Sequence, residues 1–175
     1  MNVLKFYFMT KLKYLNHYTP ETQDQVHNLI KKQKLSEYIL DKYPKAHDIK
    51  TDKALFSYAM ERKESYMKKS APLSKVIYDG KINVIHNALG THRFVSRVQG
   101  TKLKAKNEIR IASMFKSVPE EFLSMIVIHE LAHFKEKEHN KAFYKLCEHM
   151  EPSYHQLEFD LRLYLTQIDL FGKLY

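Results

Sequence analysis

The sequence predicts a single helix-rich α+β domain, and three observations predict it. Runs of helical period, amphipathic or wholly apolar, occupy most of the chain. Four short runs of strand character fall between residues 75 and 113. A length of 175 residues with 44% hydrophobic content suits one globular domain with its own core. Within that one domain, 1–175, the expected division is an N-terminal helical part, 1–70, and a C-terminal part, 71–175, that carries the chemistry argued below. No repeat, linker or low-complexity tract interrupts it.

The elements are expected in this order: helices at about 2–16, 21–42, 52–69, 119–135, 141–150 and 153–170, with strands near 75–79, 82–87, 92–98 and 107–113. In the first helix the apolar run from Val3 to Met9 is broken by Lys5 and followed by lysines. Neither a signal peptide nor a membrane span is supported, which points to a cytoplasmic protein with no membrane partner. Thr19-Pro20-Glu21 opens the second helix, and Val26, Leu29, Ile30, Ile39 and Leu40 mark its packed face. Asp79-Gly80 is a hairpin turn by composition, and the strands near 92–98 and 107–113 pair across a lysine-rich loop. Ser117-Val-Pro-Glu120 matches a capping box, in which the serine hydroxyl and the glutamate satisfy each other's orphan amides. From Phe122 to Ile128 the helix that follows is apolar on nearly every side, so it belongs in the core and carries His129 and His133 inward with it. Asn140 is the expected N-cap of the next helix, on whose apolar side Cys147 reads as a small buried hydrophobe. With one cysteine, no disulfide forms within the chain.

Residues 129 to 139, His-Glu-Leu-Ala-His-Phe-Lys-Glu-Lys-Glu-His, carry the chemistry. Histidines four apart share a helix face, so His129 and His133 can each reach a single Zn²⁺. Glu130 projects beside such an ion rather than onto it, where a base taking a proton from water must sit. Structural zinc sites are usually cysteine-rich and closed, whereas this chain offers histidines and an open position. Purely structural histidines would leave two imidazoles and a carboxyl in an apolar environment, at a cost of several kcal/mol for unpaired polar groups, roughly 2–7 each. The charged run Lys135 to Glu138 closes the helix and can return His139 as third ligand; His149, His155, Glu151 and Glu158 are its rivals for that position.

The net charge of +9 is concentrated in part: residues 91 to 116 hold seven Lys/Arg against one acidic residue, Glu108. Such a hairpin could contact nucleic acid, favour acidic substrates, or simply be a solvated lysine-rich surface. The many Tyr and Phe rings are read as packing rather than base-stacking platforms.

Residues 107 to about 161 resemble the YgjP-like metal-dependent hydrolases, which are similar to the SprT-like and WLM zincin groups. The residues that carry the resemblance are Asn107-Glu-Ile-Arg-Ile-Ala, Pro119, Met125-Ile-Val-Ile-His-Glu-Leu-Ala-His, His139-Asn-Lys-Ala-Phe143, Pro152-Ser-Tyr154 and Leu161. The resemblance implies a zincin-like fold, with a small antiparallel sheet packed against the H-E-x-x-H helix. It also implies that His129, His133 and His139 are the zinc ligands and that Glu130 is the general base. Two features depart from the family: Phe94-Val95-Ser96-Arg97 stands where members carry W-G-S-C, and Ala112 replaces an asparagine. The first half of the chain also lacks the family's strand-rich look, so substrate choice does not transfer.

The leading expectation is a zinc metallopeptidase acting on a peptide or protein. Its substrate would add as a strand to 107–113, which the resemblance implies is a sheet edge beside the helix. Zinc would polarise the scissile carbonyl while Glu130 moves the proton; Tyr154, His155, His92 and Arg93 are candidates for a second oxyanion donor. The alternatives are a zinc-dependent hydrolase of nucleotide phosphoanhydrides and a non-catalytic basic module that binds nucleic acid.

Overall fold

The computed structural model describes residues 12–82, 90–99 and 102–175, so the first expected helix lies largely outside the described residues. Of its span, the described part forms a short 3-10 turn, Lys13–Leu15. The chain forms two compact units: residues up to Ala46 together with Gln156–Tyr175, and His47–His155. These boundaries differ from the division at residue 70 suggested by the sequence.

In the first unit, Thr19 caps α1 (Pro20–Lys31) by accepting the Thr22 amide, with Pro20 in the first turn. The single helix expected over 21–42 is in fact two, α1 and α2 (Leu35–Lys42). Gln33 takes a left-handed φ of 56°, while the Lys34 amide reaches back to the Leu29 carbonyl and the Gln33 amide to that of Ile30. This is the backbone pattern that ends a helix on a left-handed residue, usually glycine. Because glutamine occupies that position here, no composition cue marks the break. The long helix α6 (Tyr154–Phe171) runs through this unit after contributing Tyr154 and His155 to the other. Its Asp160 is fully buried, with the Tyr43 hydroxyl donating to it at 2.6 Å, Gln156 at 3.0 Å and the Lys42 ammonium at 2.5 Å, so the buried charge is compensated.

The second unit holds α3 (Asp52–Tyr66), β1 (Leu73–Asp79), β2 (Gly90–Gln99), β3 (Lys102–Ala112), α4 (Glu120–Ala132) and α5 (Lys141–Met150). The sheet order is β1-β3-β2. β2 and β3 are antiparallel, as expected, with Gly90 opposite Ile111 and Gln99 opposite Lys102. The supposed lysine-rich loop is therefore mostly strand. β1 runs parallel to β3, with Val76 opposite Ile109, so the small sheet is mixed rather than wholly antiparallel. The Asp79-Gly80 turn forms, with the Lys81 amide donating to Asp79, but the strand expected to follow it lies outside the described residues after Ile82. On β3, Asn107, Ile109 and Ile111 are buried while Glu108 and Arg110 are partly exposed, the two-residue alternation of a half-buried strand.

α4 packs on β2, β3, α3 and α5, and every residue from Phe122 to Ile128 is buried. The helix thus packs against the sheet as the resemblance implied, but β3 is the central strand of that sheet rather than its edge. The capping box is not formed: Ser117 closes a 3-10 turn (Ser113–Ser117), and α4 starts after Pro119 without a side-chain cap. Glu120 instead faces Arg62 of α3 at 3.8 Å. Among the described residues, no helix is long and apolar enough to cross a membrane.

Candidate metal centre

α4 ends at Ala132, and His133 is its C-cap, still in right-handed helical geometry. His129 and His133 therefore remain one turn apart, with ring centroids separated by 5.1 Å. The chain then tightens: the Phe134 amide bonds to the Leu131 carbonyl, and the Lys135 and Glu136 amides bond to that of Ala132. The reversal brings His139 back over the helix end, and Asn140 caps α5 by accepting the Phe143 amide at 2.9 Å. One ring nitrogen from each of His129, His133 and His139 lies within 4.8 Å of the others. Nε2 of His139 is 3.0 Å from Nε2 of His129. Phe143, fully buried, sits beneath all three imidazoles at centroid distances of 4.7 to 4.9 Å. The site is less enclosed than the apolar run suggested: His129 and His133 are half-buried and His139 is exposed.

The outer ring nitrogens of His133 and His129 are occupied. Nδ1 of His133 lies 3.0 Å from the Glu136 carbonyl, which can only accept, so this nitrogen carries the proton and Nε2 keeps its lone pair. Nδ1 of His129 lies 2.7 Å from the hydroxyl of Tyr154, the first residue of α6. Burial holds the His133 pKa below the usual histidine value, and the neighbouring His139 adds to this against the opposing Glu136 carbonyl. The neutral imidazole is the form that binds a metal. An all-imidazole donor set with converging lone pairs and no cysteine fits a divalent ion of zinc type.

Glu130, which follows His129 in the chain, is 3% exposed. Burial raises its pKa from 4.5 to about 8. Folding of the metal-free protein therefore favours the protonated carboxyl. Its contribution to stability is present in full below about pH 4.5 and is lost as pH rises towards 8, by at most on the order of 5 kcal/mol. Thermal unfolding of the metal-free chain should show this decline between pH 5 and 8.5, and Glu130→Gln should flatten it.

Gly90, at the start of β2, was missed in the sequence. A Cβ there would meet Glu130 Oε1 at 2.5 Å and its Cγ and Cδ at 3.0 Å, so only glycine lets the strand approach the carboxyl this closely. The obstructing atoms end a flexible side chain, so Gly90→Ala should fold, with Glu130 displaced. Turnover is expected to fall by about 10²-fold, the scale of an ångström-sized misplacement, with the unfolding temperature nearly unchanged.

The other sequence candidates lie elsewhere. His155 is exposed and 3.4 Å from Glu148, and His149 rests edge-on against Tyr66. Glu151 accepts the Ser153 amide, and Glu158 pairs with Arg162 in the first unit. None of them joins the three-histidine group. Tyr154 directs its hydroxyl at the outer nitrogen of His129. Cys147 is fully buried, as expected.

Two imidazoles and a buried carboxyl at the end of one core helix, with a third imidazole returned by the turn that follows, are the donor set and base that a metal-dependent hydrolase needs. The chain belongs to the YgjP-like, metallopeptidase domain family, whose match spans residues 26–164. The match takes in most of the N-terminal half, which the sequence reading had set apart from the family. UTP pyrophosphatase of Escherichia coli (strain K12) is 57% identical over 162 residues, covering 93% of this chain and 97% of that protein. No solved structure matches the chain significantly.

Proposed function

We propose that this protein hydrolyses a phosphoanhydride bond of a nucleoside triphosphate, with UTP as the first candidate, at a zinc ion held by His129, His133 and His139. The observation that carries this reading is the 57% identity, over nearly the whole length of both chains, to a relative named UTP pyrophosphatase. The strand-addition route to a peptide loses its support, because β3 lies between β1 and β2 and has no free edge to offer. A net charge of +9, with seven Lys/Arg in 91–116, suits a polyanionic substrate. On this reading the basic hairpin attracts the triphosphate rather than a nucleic acid.

When bound, the ion would supply Lewis acidity towards phosphoryl oxygen and make water more acidic. An adjacent positive charge also favours the ionised form of Glu130 over the protonated form that burial alone selects. The carboxylate then takes a proton from the attacking water as the new P–O bond forms. The old P–O bond breaks, and the proton passes to the departing phosphate oxygen, giving nucleoside monophosphate and pyrophosphate. Gly90 keeps the carboxyl seated, and Phe143 keeps the floor of the site dry.

The family's metallopeptidase description favours a second reading, in which the same groups hydrolyse a peptide bond. A panel of UTP, other nucleoside triphosphates and unstructured peptides, run with one metal-loaded preparation, separates the two. Release of UMP and pyrophosphate is expected. Peptide cleavage without nucleotide turnover would overturn the proposal.

A further inference from the structure

We propose that Tyr154 is a positioning residue for the metal centre: its hydroxyl oxygen accepts the Nδ1 proton of His129 and so holds that imidazole in the tautomer whose Nε2 lone pair faces the ion. This rests on the three imidazoles being metal ligands.

A neutral imidazole carries its single ring proton on either nitrogen, and only the deprotonated one can bind a cation. The histidine's outer partner therefore decides whether it is ready to bind. For His133 the choice is made by the backbone, since the Glu136 carbonyl can only accept. At His129 the partner of Nδ1 is a side chain. Its Nδ1 meets a hydroxyl at 2.7 Å, which could donate or accept, while its Nε2 faces Nε2 of His139 at 3.0 Å.

The surroundings favour acceptance by the tyrosine. A proton on Nε2 of His129 would point into the convergence of the three rings. A proton on Nδ1 leaves the lone pairs together and matches the arrangement at His133. Tyr154 is itself rigidly placed: it is fully buried, its amide donates to the Glu151 carbonyl, and its ring lies within 16° of parallel to that of His129 at 6.4 Å. Of the two outer anchors, the one on His133 is main chain and survives any substitution. The one on His129 is a phenolic oxygen, which phenylalanine removes while keeping the ring.

The test compares parent and Tyr154→Phe by competition for zinc against a chelator of known affinity, with ¹⁵N shifts of His129 recorded in both metal-free proteins. Zinc binding is expected to weaken by about 10–100-fold in the variant. The parent should show His129 protonated at Nδ1, a preference the variant loses. Equal zinc affinity in a folded Tyr154→Phe protein would overturn the role of Tyr154 alone, as would a parent His129 protonated at Nε2, which can be read even if the variant does not fold. Failure of the parent to take up zinc would instead overturn the reading of the site itself, and this inference with it.

Discussion

Glu130→Gln is expected to lower turnover by about 10²–10⁴-fold while leaving the metal content of the protein unchanged. The substitution keeps the size and shape of a side chain that is 3% exposed and in close approach to Gly90. It removes only the capacity to take a proton. Glu130 is not among the groups that converge as candidate ligands, so the amide should not weaken metal binding. The check is pyrophosphate release per second beside elemental analysis on the same samples. Comparable turnover in both proteins would show that another group moves the proton. Loss of metal together with activity would instead place Glu130 among the ligands.

The second large effect is expected at His139. It is the exposed member of the three and lies on the turn after α4 rather than within it. His139→Ala should therefore leave the core intact, with thermal unfolding of the metal-free protein close to that of the parent. Two imidazoles then remain where three converged. Zinc affinity should fall well beyond the roughly 10–100-fold seen when only an outer partner of a ligand is lost. Competition with a chelator reads this directly, and activity should disappear at metal concentrations that saturate the parent. Replacing His149 or His155, which lie outside the group, should leave zinc affinity where it was.

The parts of the site that the sequence revealed are those fixed by local geometry. Helical spacing joins His129 to His133, and the charged run followed by Asn140 predicts a reversal that brings His139 back; both follow from steps of a few residues. The run from Phe122 to Ile128, apolar but for Ser124, placed α4 in the core. What was not legible depends on pairing over long separations or on a single backbone angle. Nothing local distinguishes a β1 that runs parallel beside β3 from one that turns back at Asp79-Gly80. The break at Gln33 lacks the glycine that would announce it. The capping box at Ser117 was a sound local pattern overruled by the 3-10 turn that leads into Pro119. Gly90 and Tyr154 act through residues 40 and 25 positions away, so their roles emerge only when the chain is folded. Gly90 did carry a signal, a glycine opening a strand. Phe143 carried another, as part of the resembling motif, although its place beneath all three imidazoles could not be read.

The most direct test of the account is to titrate metal-free protein with zinc while following pyrophosphate release from UTP. Activity is predicted to be absent at the start, to rise in proportion to added zinc, and to level off near one equivalent per chain. Full activity without metal, or no nucleotide hydrolysis at any zinc level in a protein that binds the ion, would contradict it.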